Sequence, residues 1–117
     1  MSNKVVQKIL IIEDDPGILN YLKTTVEAAG YETVTATDGN FALHLIASHC
    51  PDCILLDLGL PDMDGSDIIT SVRKWTLTPI IVISARDSEE NKAIALDSGA
   101  DDYITKPFGS IELLARI

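Results

Sequence analysis

Asp57 is the residue whose position most clearly suggests chemistry. An apolar run, Cys53–Leu56, ends at this single carboxylate, and a loop that contains Gly59, Pro61 and Gly65 follows. Such a run is typical of a strand that is buried on both faces, as strands of parallel sheets are. Open α/β sheets bind their ligands at the carboxyl ends of the strands. The pattern therefore predicts that Asp57 lies in a functional site.

Other polar residues follow predicted strands in the same way. Glu13 and Asp14 follow the apolar run 8–12, Ser84 follows the apolar run 79–83, and Lys106 follows a short predicted strand at 102–105. Carboxylates crowded at one sheet edge repel each other unless a hard cation lies among them, and Mg²⁺ prefers oxygen ligands. A carboxylate beside Mg²⁺ can attack a phosphoryl group, while an ammonium and a hydroxyl stabilise the transferred oxygens. The predicted chemistry is formation of an aspartyl phosphate.

These residues meet only if the strands end at a common edge. The sequence predicts strands over 8–12, 32–37, 53–57, 79–83 and 102–105, and helices over 16–30, 39–48, 66–75, 87–98 and 110–117. Five units in succession, each a strand followed by a helix, favour a parallel sheet with right-handed crossovers and helices on both faces. In the strand order 2-1-3-4-5 the switch point lies between the first and third strands, where the acids would meet.

Capping residues and periodicity predict the helix ends and faces. Asp15 is expected to cap a helix that begins at Pro16. Asp87 and Glu90 resemble a capping box, and Gly99 is expected to end that helix in a left-handed conformation. The residues expected to pack inward are Ile18, Leu22, Val26, Ala42, Leu43, Ile46, Ala47, Ile68, Ile69, Val72 and Trp75. Those expected to face solvent are His44, His49, Asp62 and Asp64.

Length and composition indicate one globular domain. The chain has 117 residues, of which 46% are hydrophobic and 23% charged. Its net charge of −9 argues against direct nucleic-acid binding, which needs a basic face. No apolar run approaches the ~20 residues of a membrane span, and the amino terminus has no signal-peptide core. We expect a cytoplasmic protein without membrane contact, with residues 1–7 as a partly ordered lead-in.

Two cysteines in a Cys-x-x-Cys pattern leave another chemistry open. Cys50 and Cys53 suggest a thiol oxidoreductase, and together with His44 and His49 they suggest a zinc site. However, Cys50 is expected to end a helix and Cys53 to open a strand, so no helix amino terminus would lower a thiol pKa. Two reduced structural thiols are the favoured interpretation.

Four motifs together resemble the receiver domain of two-component response regulators. They are EDD at 13–15, LLDLGLPDMDG at 55–65, SAR at 84–86 and GADDYITKPF at 99–108. The resemblance implies a flavodoxin-like receiver fold over residues 1–117, ending within the fifth helix. It also implies that Asp57 accepts a phosphoryl group from a histidine kinase. On this basis the protein is not an enzyme, except in catalysing its own phosphorylation and dephosphorylation.

The resemblance also implies roles for the neighbouring residues. Asp14, Asp57 and the carbonyl of Gly59 would ligate Mg²⁺ directly, and Glu13 would help through water. Lys106 would contact the phosphoryl group, and its bond to Pro107 would be cis. The remaining two residues, Ser84 and Tyr103, would form a switch pair, in which the hydroxyl moves toward the phosphate and the ring turns inward.

The motifs at 84–86 and 99–108 are most similar to OmpR/PhoB-type transcriptional regulators. That subfamily forms homodimers through the fourth helix, fifth strand and fifth helix. The implied contacts across the two-fold axis are Lys92 with Glu112 and Asp102 with Arg116. Such regulators bind DNA through a winged-helix output domain, which we expect to lie outside this chain. Residues 58–61 and 73–75 further resemble potassium-responsive Kdp regulators.

Other functions remain open at this point. A stand-alone phosphorelay receiver would lack a DNA-binding output. A phosphohydrolase with an aspartyl nucleophile would need a second acid at the position of Gly59, and an inert receiver would lack part of the site that this sequence contains in full.

Overall fold

The computed structural model describes residues 7–117, so the predicted lead-in lies, apart from Gln7, outside the described residues. The strands are β1 (Lys8–Ile12), β2 (Glu32–Ala36), β3 (Cys53–Leu56), β4 (Ile80–Ser84) and β5 (Asp102–Thr105). The helices are α1 (Pro16–Ala28), α2 (Gly39–His49), α3 (Gly65–Val72), α4 (Glu89–Ser98) and α5 (Ser110–Arg116). All strands are parallel, in the order β2-β1-β3-β4-β5, which confirms the predicted α/β topology.

Helices cover both faces of this sheet and form two separate apolar layers. Side chains of α2, α3 and α4 pack with Leu10, Ile54 and Val82 on one face. Side chains of α1 and α5 pack with Ile9 and Leu55 on the other face. Because successive residues of a strand point to opposite faces, the central strands must be apolar at every position. This double burial fixes the strand register and therefore the position of every strand end.

The buried face of α2 differs from the prediction. Leu45 is buried, whereas Ala47 is exposed and Leu43 only half-buried. Ala42, Leu45 and Ile46 follow the i, i+3, i+4 spacing of one helix stripe, and a residue five positions after Ala42 lies well away from that stripe. The prediction for Ala47 was therefore wrong.

Two predictions at helix ends were also wrong. Helix α4 is capped by Ser88, whose Oγ accepts from the Asn91 N–H at 3.1 Å, and not by Asp87. Asp and Ser are comparably good N-caps, so local sequence could not choose between adjacent candidates. Helix α3 ends at Val72, which leaves Trp75 with 56% of its surface exposed. The remaining boundaries agree with the predictions or differ from them by at most two residues.

Two predicted caps are confirmed. The Asp15 carboxylate accepts from the Ile18 N–H at 2.8 Å, directly before Pro16. Gly99 ends α4 with a φ of 120°, a conformation that favours glycine. Within residues 7–117 no helix is both long enough and apolar enough to cross a membrane.

Candidate functional site

Asp57 lies directly after β3, at the carboxyl edge of the sheet. Its N–H donates to the Ile12 carbonyl of β1 at 2.9 Å, so the neighbouring strand fixes its position. Glu13 and Asp14 follow β1 in the chain, and ligand atoms of the three carboxylates lie within 4.8 Å of one another. No other acidic, histidine or cysteine cluster of this kind occurs in the part of the chain that the structure describes. The predicted meeting of these acids is confirmed.

Glu13 is the most buried of the three acids, with 1% of its surface exposed. One carboxylate oxygen accepts from Lys106 Nζ at 2.8 Å, and the other has no hydrogen-bond partner among the described residues. Burial and the neighbouring Asp57 raise the pKa of Glu13 to about 7, although Lys106 opposes this shift. A buried oxygen without a partner is costly, and a hydrated cation at this point would satisfy it.

Lys106 reaches the acids from the end of β5. Its Nζ lies 3.5 Å from Asp57 Oδ1 and 2.8 Å from Glu13 Oε1. Burial alone would lower the pKa of this ammonium, but the hydrogen bond to Glu13 and the charge of Asp57 outweigh burial and raise it. The Lys106–Pro107 bond is cis, as predicted. One ammonium therefore stands beside the candidate nucleophile.

The loop after Asp57 is held by two acids that were expected only to face solvent. Asp62 is exposed, yet its carboxylate accepts from the Gly39 and Asn40 N–H groups at 2.7 and 2.9 Å. These bonds lower the pKa of Asp62 below its usual value. Asp64 is the N-cap of α3, where its Oδ1 accepts from the Ser66 N–H at 2.9 Å. The expectation that both acids are merely solvated was therefore wrong.

Two glycines of the same loop lie close to Asp57. A Cβ on Gly65 would stand 2.7 Å from the Asp57 carbonyl oxygen and 2.8 Å from Leu58 Cα, so only glycine fits this approach. Gly59 pairs with Asp64 in an isolated antiparallel bridge, and a Cβ on it would lie 3.9 Å from Asp57 Oδ2. The Gly59 main chain is thus near the acidic cluster, as a carbonyl ligand would need to be.

Ser84 and Tyr103 share one partner, Arg86, to which sequence analysis gave no role. Ser84 is 2% exposed, and its Oγ accepts from the Arg86 N–H at 3.1 Å. The Tyr103 hydroxyl donates to the Arg86 carbonyl at 2.6 Å, and the Arg86 guanidinium pairs with Asp64 at 2.9 Å. The only sequence signal was the presence of Arg86 within the motif SAR.

The residues of the predicted dimer face lie on α4, β5 and α5. Arg116 Nη1 donates to both carboxylate oxygens of Asp102 at 3.0 Å, so this pair also forms within one chain. Lys92 lies on α4 and Glu112 on α5. Contacts across a two-fold axis stay a prediction for all four residues.

The two cysteines lie at the opposite, amino edge of the sheet. Both are free thiols; Cys50 is exposed after α2, and Cys53 opens β3. Burial raises the pKa of Cys53 to about 11, which disfavours a reactive thiolate. His44 and His49 are exposed, as predicted. The geometry therefore favours reduced structural thiols over a redox or zinc site.

Comparison with known proteins agrees with the geometry of the carboxyl edge. The transcriptional regulatory protein KdpE of Mycobacterium tuberculosis is 50% identical over 109 residues, which cover 93% of this chain and 48% of the relative. The KDP operon transcriptional regulatory protein KdpE of Escherichia coli is 47% identical, with the same coverage. The chain thus spans about half the length of these curated relatives.

Solved structures with high similarity are receiver domains as well. The receiver domain of Francisella response regulator 1452 superposes with a TM-score of 0.90 at 43% identity, covering 94% of this chain and 92% of that one. The BeF3-activated receiver domain of Klebsiella pneumoniae RstA gives a TM-score of 0.90 at 34% identity, covering 94% of each chain. The family described as the response regulator receiver domain matches residues 9–117. This chain therefore belongs to the receiver domain family of response regulators, and its close homologues are KdpE transcriptional regulators.

Proposed function

We propose that the chain is a phosphorylation-dependent switch that accepts one phosphoryl group on Asp57 from a sensor histidine kinase. The observation that carries the proposal is the cluster of Glu13, Asp14 and Asp57 within 4.8 Å, with Lys106 Nζ 3.5 Å from Asp57 Oδ1. Three acids and one amine at the end of parallel strands suit phosphoryl transfer, in which positioning and charge stabilisation do most of the work.

The acidic cluster fits a magnesium ion. Asp14, Asp57 and the Gly59 carbonyl would hold it directly, and Glu13 would hold it through water. The buried oxygen of Glu13 without a partner supports this assignment, because a hydrated cation would provide that partner. When bound, Mg²⁺ would offset the negative charge of the acids and of the phosphoryl oxygens.

In the proposed transfer, an oxygen of the Asp57 carboxylate attacks the phosphorus of a phosphohistidine. The P–N bond breaks, its electron pair stays on the imidazole nitrogen of the kinase, and an acyl phosphate forms on Asp57. The Lys106 ammonium stabilises the charge that gathers on the transferred oxygens. The phosphate of the product then offers an acceptor to the Ser84 hydroxyl.

The switch that follows would act through Ser84 and Tyr103. Movement of the Ser84 hydroxyl toward the phosphate would displace the start of the β4–α4 loop, to which the Tyr103 hydroxyl is bonded through Arg86. Tyr103 would turn inward and change the face formed by α4, β5 and α5. This is a shift between two arrangements that phosphorylation favours differently.

For the whole protein we propose a transcriptional output of the Kdp type. The support is the 50% and 47% identity to KdpE regulators, of which this chain spans about half. DNA would be bound by an output domain and not by this acidic domain, whose net charge is −9. Phosphorylation would favour a homodimer through α4, β5 and α5, and the stimulus would be potassium supply.

The site of phosphorylation can be mapped directly. The chain is incubated with Mg²⁺ and acetyl phosphate, and borohydride then reduces any acyl phosphate to an alcohol that survives peptide mass analysis. We expect reduction at position 57 alone, and none when Mg²⁺ is removed with a chelator. Reduction at Asp14 or at another acid would overturn the assignment of Asp57.

A further inference from the structure

Arg86 makes three contacts that join separate parts of the site. Its N–H donates to Ser84 Oγ at 3.1 Å, and its carbonyl accepts from the Tyr103 hydroxyl at 2.6 Å. Its guanidinium donates to Asp64 Oδ2 at 2.9 Å. One residue of the β4–α4 loop thus contacts both members of the proposed switch pair and the loop that follows Asp57.

Asp64 is itself fixed to that loop. Its Oδ1 caps α3 by accepting from the N–H and hydroxyl of Ser66, which leaves Oδ2 for the guanidinium. Its main chain pairs with Gly59, two residues after the phosphoacceptor. A displacement of the loop after Asp57 would therefore reach Arg86 through a carboxylate that two other bonds already hold.

We propose that the ion pair between Arg86 and Asp64 couples the phosphoacceptor loop to the switch pair, so that Arg86 is a positioning residue for the response to phosphorylation. The inference rests on the proposed phosphorylation of Asp57. With the ion pair intact, the Arg86 main chain moves together with the loop after Asp57. Because that main chain holds the Ser84 and Tyr103 hydroxyls, the two switch residues respond as one unit.

The exposure of the pair separates this role from a purely structural one. Both side chains are 39% exposed, and ion pairs that are this open to water add little to stability. Loss of the pair is therefore expected to leave the fold intact while changing the transmission between loops.

The experiment follows Tyr103 by fluorine NMR. The chain has three tyrosines, so incorporation of 3-fluorotyrosine gives few signals, and Tyr103→Phe identifies the one of interest. Two variants break the pair. Arg86→Gln removes the charge, and Asp64→Asn can keep the oxygen that caps α3 while placing an amide donor against Arg86. Lys74→Ala, which removes an exposed positive charge on the segment after α3, is the matched control.

Each sample is measured with Mg²⁺, before and after acetyl phosphate, and intact mass reports phosphoryl uptake separately. We expect uptake at the wild-type level in both variants, with the phosphorylation-induced shift of the Tyr103 signal reduced to less than half. The double variant should lose no more of the Tyr103 shift than either single variant, because each substitution removes the same ion pair. Lys74→Ala should retain the full shift.

Three results would overturn the inference. A full Tyr103 shift in Arg86→Gln and Asp64→Asn, with uptake intact, would show that the pair transmits nothing. Loss of uptake in Arg86→Gln would place Arg86 at the phosphoacceptor itself and not between the loops. Absence of uptake in the unaltered chain would instead overturn the proposed function and the coupling that rests on it.

Discussion

Glu13 is the acid whose environment departs most from that of an ordinary carboxylate. It is almost fully buried, one oxygen is bonded to Lys106, and burial raises its pKa to about 7. Its folded-state pKa therefore exceeds its unfolded value, so the native chain without metal holds an extra proton between about pH 4.5 and 7. Binding of this proton stabilises the fold at low pH, and the stabilisation is lost as pH rises through about 7.

The raised pKa of Glu13 also determines how magnesium binding should depend on pH. Because Mg²⁺ needs the carboxylate form, we expect its affinity to rise between pH 6 and 8, with release of a proton on binding near pH 6.5. Calorimetry in buffers of different ionisation enthalpy counts that proton. Glu13→Gln should bind Mg²⁺ with much weaker pH dependence. Proton release that is unchanged in Glu13→Gln would contradict the assignment.

Lys106 supplies the ammonium at the site, and its removal should affect two steps differently. Lys106→Ala loses a charge-assisted hydrogen bond of about 1.5 kcal/mol, so phosphoryl uptake should slow by about tenfold. The response of Tyr103 should fall further, since the contact to the phosphate is lost as well. Uptake rates and the fluorine signal measure the two steps. A variant that takes up phosphate slowly but switches fully would contradict this role.

Some residue roles could be predicted from the sequence and others could not. Asp57, Asp14 and Lys106 each lie just after a predicted strand, and parallel strands bring such positions to one edge whatever the details of the loops. Arg86 and Asp64 are 22 residues apart, and their contact depends on the paths of two loops. No local pattern encodes those paths, so the ion pair became visible only in three dimensions.

At the scale of elements, β1 and β3 position the acids, while loops determine what surrounds them. The register of these strands follows from burial on both faces, since a slip by one residue would exchange the two apolar layers. Helix ends were less predictable. The cap of α4 at Ser88 was one of two adjacent candidates, Asp87 and Ser88, which local sequence does not separate. The early end of α3 at Val72 is followed by Arg73, whose side chain makes contacts outside the helix.

Arg73 directly follows the end of α3 and contacts the turn between α4 and β5. Its guanidinium donates to the carbonyls of Gly99, Thr76 and Thr78 at 2.8–3.2 Å and pairs with Asp101 at 2.9 Å. This set ties the segment after α3 to the turn between α4 and β5. Because the side chain is only 15% exposed, these bonds are shielded from water.

Arg73→Ala should therefore lower the free energy of unfolding by about 2–3 kcal/mol, because it leaves several carbonyls with fewer donors. Urea unfolding followed by circular dichroism measures the change. Lys74→Ala, the neighbouring exposed charge, should stay within about 0.5 kcal/mol of the unaltered chain. Equal stability of the two variants would show that the Arg73 bonds do not stabilise the fold.

At the scale of the whole molecule, the face formed by α4, β5 and α5 is the expected route from phosphorylation to output. Ile94 on α4 and Ile111 on α5 are large apolar residues with 57% and 86% of their surfaces exposed. Asp102 and Arg116 are bonded to each other within the chain, so a dimer that uses them would exchange this bond for one between subunits.

The predicted contact between Lys92 and Glu112 allows a charge-reversal test of the dimer. Lys92→Glu and Glu112→Lys should each weaken the phosphorylated dimer by at least about tenfold, since like charges would then face each other. The double reversal should restore much of the affinity. Sedimentation velocity with Mg²⁺ and acetyl phosphate measures the association. A double variant no better than the singles would exclude this pairing.

Intact mass spectrometry measures directly whether Asp57 takes up one phosphoryl group with Mg²⁺. Asp57→Ala is compared with the unaltered chain and with Asp97→Ala, which removes an exposed acid of α4. We predict a single phosphoryl addition from acetyl phosphate in the unaltered chain and in Asp97→Ala, dependent on Mg²⁺, and none in Asp57→Ala. Undiminished addition in Asp57→Ala would show that Asp57 is not the phosphoacceptor, and no addition in the unaltered chain with Mg²⁺ bound would show that the domain does not take up phosphate in this way.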